Sequence, residues 1–85
     1  MPNEKFFPNL SLRKRVLMLM KSEQAFGGPQ SVEDVCKSLR APNANVRSVL
    51  VRMNKAGLIE RVQKGVYRIK GDARPYKKNK PHYDG

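Results

Sequence analysis

Apolar residues recur along the chain with periods that name its elements. In "SLRKRVLMLMKSEQ", residues 11–24, Leu12, Val16, Leu19 and Met20 fall at i, i+4, i+7 and i+8, one face of an α-helix. Arg13, Lys14 and Lys21 take its other faces, and Ser11 is placed to cap its start. Gly27, Gly28 and Pro29 in "FGGPQ" stop it. A second helix opens at Ser31, with Asp34 three residues on in the place a capping box reserves for Glu. Its apolar stripe is Val32, Val35, Cys36 and Leu39, and Pro42 ends it because the residue before a proline avoids helical backbone. A third helix follows over 44–56, capped by Asn43 and closed by Gly57. The link between the second and third helices, "RAPN", is short, which is the layout of a helix-turn-helix.

After Gly57 the period drops to 2. "LIERVQ" and "VYRIK" read as the strands of a hairpin over 59–69, turning at Lys64-Gly65, where Gly65 supplies a positive φ. Tyr67 and Ile69 share one side of the second strand, and Arg68 and Lys70 the other. Ile59, Tyr67 and Ile69 are expected to pack inward. Residues 1–10 carry Pro2 and Pro8 and read as an irregular arm whose Phe6 and Phe7 cover the first helix. Residues 71–85 have no period and read as a flexible basic tail. The expected fold class is α+β: one domain over 11–70, a three-helix core followed by a two-stranded hairpin.

The third helix has an unusual polar side. At about 100° per residue, Val46, Val49, Leu50 and Met53 gather on one face. Asn45, Ser48, Arg52 and Lys55 point away, with Val51 among them, and Arg47 and Asn54 lie on a flank. A helix kept for solubility usually mixes signs, since Glu–Lys pairs at i,i+4 add a little stability; this one has no acid. Arg, Asn and Ser are the residue types that bond base edges and phosphates in a duplex major groove, and a helix N-terminus favours a phosphate.

Charge sharpens that reading. The chain has 85 residues with 18 Lys and Arg against 7 Asp and Glu, net +11, and a pI of about 10.3. Such a balance implies a polyanionic partner, nucleic acid or an anionic membrane surface. Residues 43–70 hold 7 basic side chains and a single acid, Glu60. No apolar run approaches the roughly 18 residues that span a membrane, and the first residues lack the pattern of a secretory signal. Cys36 is the one cysteine, so no intrachain disulfide forms, which fits a reducing compartment. The expectation is a cytoplasmic protein with no membrane partner.

Catalytic chemistry has little to stand on. His82 lies in the tail without sequence neighbours that would make a relay, Cys36 sits on an apolar stripe, and Glu33 and Asp34 suit the dipole of the helix they open. No metal-ligand spacing occurs, and "AFGGPQ" lacks the Lys of a phosphate-cradling loop. The expectation is no enzyme, no cofactor and no metal.

Taken together, "SVEDVCKSLRAPNANVRSVLVRMNKAGLIERVQKGVYRIK", residues 31–70, resembles the winged helix-turn-helix DNA-binding domain. The likeness rests on the capped second helix, the short turn, "VRxxLxRMxxxGLIER" and a hairpin that ends "GVYRI". It is similar to the DNA-binding part of GntR-type and MarR-type bacterial regulators, and with the first helix it covers about residues 11–70. The resemblance implies that helix 44–56 enters the major groove, with Asn43, Asn45, Arg47 and Ser48 meeting bases and phosphates and Arg47 foremost. Arg52 and Lys55 extend that surface. The hairpin, the wing of such domains, would lie on the backbone or minor groove through Arg61, Lys64, Gly65 and Arg68. In the tail, Lys77, Lys78 and Lys80, with Tyr76 and Tyr83, suit phosphate contacts or stacking on bases. The implied role is sequence-specific binding of double-stranded DNA by a small transcriptional regulator, as a homodimer or cooperatively. RNA binding, non-specific architectural binding, or a protein partner stand as alternatives. The sequence departs from such regulators in leaving no room for an effector or dimerisation domain, and in carrying Pro42 and Asn43 at the turn.

Overall fold

A computed structural model describes residues 11–83 of the chain. The expected arm, 1–10, lies outside the described residues. The element order is α1 (Leu12–Lys21), β1 (Gln30–Ser31), α2 (Val32–Leu39), α3 (Asn43–Lys55), β2 (Ile59–Gln63) and β3 (Val66–Ile69). Three helices pack on a three-stranded antiparallel sheet with strand order β1-β3-β2. This is a small α+β fold, compatible with a winged helix. Among the described residues no helix is long and apolar enough to cross a membrane.

The core is built from the faces that the periods mark. Val16, Leu19 and Met20 of α1, Val32, Val35 and Leu39 of α2, and Val46, Leu50 and Met53 of α3 are buried, and Ile59 of β2 joins them. Leu12, Cys36, Val49, Tyr67 and Ile69 are only partly buried and pack at the margin. Ser11 caps α1 by accepting from the Lys14 amide. The capping box of α2 is complete: Ser31 Oγ accepts from Asp34 N at 3.0 Å, and Asp34 Oδ2 accepts from Ser31 N at 2.9 Å.

Several boundaries move. The first helix stops at Lys21, because the chain folds back so that Gly28 N donates to Met20 O. The third helix begins at Asn43, not 44. Pro42 takes the extended N-cap geometry and no side chain caps the helix, so Asn43 is its first residue rather than its cap. The sheet has a third strand, β1, whose Gln30 and Ser31 pair with Tyr67 and Val66. In the hairpin the register runs Glu60↔Arg68 and Arg61↔Tyr67, then slips to Gln63↔Val66, so Val62 is an extra residue in a bulge. The turn at Lys64-Gly65 has Gly65 at φ 74°, the left-handed backbone that such a turn asks of it.

The largest correction concerns residues 71–85. Residues 71–83 have no regular structure, yet they lie along the domain as a strap. Arg74 donates to two carbonyls at the end of α1, Nη1 to Ser22 O at 2.7 Å and Nη2 to Met20 O at 2.9 Å. Lys80 forms a buried ion pair with Asp34 at 2.8 Å. Tyr83 N donates to Ser38 Oγ, and the Tyr83 ring packs 5.1 Å from that of Phe26.

Candidate nucleic-acid interface

The sheet register decides which cations share a surface. Side chains opposite each other across a pair of strands share a face. Arg61 therefore stands with Tyr67 and Ile69 on the face toward the helices, beyond the reach of the core. Arg68 stands with Glu60 on the other face, where its Nε donates to Glu60 Oε2 at 2.7 Å. That bond, first among its causes, holds the Glu60 carboxyl below its usual pKa. Arg68 is thus paired with an acid on the face of the hairpin opposite Arg61.

Arg61 looks across at α3. Between them lies an open cleft of about 590 Å³, lined by Arg47 and Val51 of α3, Arg61, Lys64 and Gly65 of the hairpin, and Tyr76 and Lys78 of the strap, with the first turn of α2 at its edge. Arg47, Arg61, Lys64 and Lys78 bring four cations to this surface, against the carboxylate of Glu33. They come from α3, the hairpin and the strap, and only the fold brings them together. A concave surface dominated by one sign focuses its field and attracts an extended anion.

The exposed face of α3 is held in order by its own spacing. Arg47 Nε donates to Asn43 Oδ1 at 2.6 Å, and Arg52 Nη2 donates to Ser48 Oγ at 2.8 Å, both i,i+4 pairs. The pairs lay both guanidinium groups along the helix. The outer Nη atoms of Arg47 remain for an acceptor in the cleft. Asn45 and Lys55 are exposed on the same helix but do not line the cleft. Arg52 lines a smaller recess of about 130 Å³ with Arg13, Val49, Met53 and Ala56.

The tail lysines divide. Lys78 lines the cleft, while Lys77 lines a separate recess beside Glu23 and Gly27. Lys80 is only 8% exposed and is paired with Asp34, so it is not the free phosphate contact expected of it. His82 is not isolated either: its Nε2 lies 2.8 Å from Asp34 Oδ1. Burial alone would push the Asp34 carboxyl up, but the bonds from Lys80, Ser31 N and His82 together hold it below its usual pKa. Burial pushes the Cys36 thiol up, as befits a packed thiol. Among the described residues no group of three His, Cys, Asp or Glu side chains could hold a metal ion.

No sequence pattern points to the Arg74 clamp or the Asp34–Lys80–His82 cluster, whose partners lie 46 to 54 residues apart. The one available hint was that Asp34 replaces the usual Glu of a capping box. No family model, no curated protein and no solved structure matches the chain.

Proposed function

We propose that the chain is a winged-helix domain that binds double-stranded DNA, acting as a small transcriptional regulator. In this reading α3 enters the major groove and the β2–β3 hairpin lies along the backbone or minor groove. The observation that carries it is the cleft itself: Arg47, Arg61, Lys64 and Lys78 converge on one concave surface beside a helix whose exposed face holds no acid. Arg47 is oriented by Asn43 at the start of the helix, where the outer guanidinium nitrogens suit the paired acceptors of a guanine edge. Lys64, exposed at the hairpin turn, suits a phosphate. Binding as a symmetric dimer, with two copies of α3 in successive major grooves, would give the length of site a regulator needs.

The test is affinity for duplex DNA against structured RNA at matched salt, measured over a salt series. The expected result is tighter binding to duplex DNA, with log K falling linearly in log salt. Lys64→Ala should weaken binding to all duplex sequences alike and make the slope shallower by about 0.9, one phosphate contact. Preference for RNA, or a slope unchanged in Lys64→Ala, would sink the assignment of the hairpin as a DNA-backbone contact.

A further inference from the structure

The strap is fixed at both ends and exposed between them. At one end Arg74 grips the α1 carbonyls Ser22 O and Met20 O. At the other, Lys80 and Asp34 form an ion pair whose side chains are 3% and 7% exposed, His82 adds a second bond to Asp34, and Tyr83 N is held by Ser38. Between the anchors, side chains alternate in direction: Tyr76 and Lys78 line the cleft beside Arg47, Arg61 and Lys64, and Lys77 turns to the recess with Glu23. Lys80 Nζ lies 5.6 Å from the centre of the Tyr76 ring, which ties the anchor directly to the cleft wall.

A buried ion pair is a poor source of net stability, because desolvating both charges offsets most of their attraction. What this pair does accomplish is to hold an irregular segment in one place. Fixing a contact group before binding removes the ordering entropy that a flexible lysine would lose on reaching a phosphate. Asp34 is well placed for this: as the capping-box partner of Ser31 at the start of α2, its carboxylate is already fixed by the Ser31 amide.

We propose that the strap is the third wall of the nucleic-acid cleft. Tyr76 and Lys78 contact the phosphodiester backbone of the duplex, and Lys80 and His82, through Asp34, are positioning residues that never touch it. This inference rests on the DNA-binding reading above. It assigns opposite roles to lysines that sequence alone leaves equivalent.

The experiment is titration of a mixed-sequence duplex DNA with the full chain over a salt series. Lys78→Ala should lower the slope by about 0.9 and weaken binding roughly three- to tenfold near physiological salt. Lys77→Ala removes the same charge from the adjacent exposed position and should change affinity less than about twofold, with no loss of slope. Asp34→Asn is the sharper probe. It adds one unit of positive charge, strips Lys80 of its counter-ion, and leaves an amide oxygen for the Ser31 amide. If the tail worked by charge alone, binding would tighten. The strap predicts that it weakens about as much as in Lys78→Ala, and that adding Lys78→Ala to Asp34→Asn weakens it little further. Equal losses in Lys77→Ala and Lys78→Ala, or tighter binding by Asp34→Asn, would overturn the proposal. Should Asp34→Asn fail to fold, the exposed Lys77 and Lys78 pair still decides the matter. Arg47→Ala and Lys64→Ala separate the two readings: if they weaken binding and Lys78→Ala does not, the strap alone fails; if none of the three does, DNA binding itself fails.

Discussion

Gly27 illustrates how closely one residue can be bound to the fold. A Cβ built there would sit 1.9 Å from Ser22 O, a backbone atom with no freedom to yield. The chain must pass this close to the end of α1 for Gly28 N to reach Met20 O and for Gln30 to enter the sheet. Gly27→Ala is therefore expected to destabilise the domain by about 2–4 kcal/mol in urea denaturation, since backbone rather than a side-chain tip has to move. A loss below about 0.5 kcal/mol would show that the approach is not needed. At the same scale, Asn43 and Ser48 accept the hydrogen bonds that orient Arg47 and Arg52. Glu60 matters because its carboxylate pairs with Arg68 across the hairpin.

At the scale of elements, what could be read from the sequence follows the physics of periodicity. Helices bury a stripe over ten residues or so, and the stripes of α1, α2 and α3 are legible in Val16, Leu19 and Met20, in Val35 and Leu39, and in Val46, Leu50 and Met53. The hairpin is legible from its alternation and Gly65. β1 is not: two residues cannot display a period, and Gln30, fully buried, looks polar until its amide is seen donating to Phe26 O and Gly28 O. The strap is illegible for a related reason. Its attachment depends on single polar contacts to distant residues, and these leave no repeat in the chain. For the candidate site, Arg47, Arg61 and Lys64 were legible, whereas the split among Lys77, Lys78 and Lys80 depends on which of them Asp34 holds. The strap also makes a prediction about acid. The folded Asp34 carboxyl lies below the roughly 3.9 of an unfolded aspartate, so its contribution is complete above about pH 4 and disappears as pH falls through the folded value. Urea denaturation of the chain and of Asp34→Asn should show a stability gap that is steady near neutrality and shrinks from about pH 4 downward. A gap that widens in acid would contradict the anchor.

At the scale of the whole molecule, the net charge of +11 is not spread evenly over a sphere. The fold gathers part of it into one cleft, pairs part of it with Glu60, Asp72 and Asp34, and leaves the remainder on outer faces. Charge alone would give binding that is indifferent to sequence and vanishes as salt rises. The central claim is stronger, that α3 reads bases through an oriented Arg47. Its most direct test is selection from a random duplex DNA pool at near-physiological salt, with the wild-type chain and with Arg47→Ala. The account predicts an enriched motif for the wild type, paired at about one helical turn if the protein binds as a dimer. For Arg47→Ala it predicts relaxed preference at one position and a loss of about 1–3 kcal/mol on the selected site. A pool that emerges unenriched from the wild type, or a motif that Arg47→Ala selects and binds as well as the wild type, would contradict it.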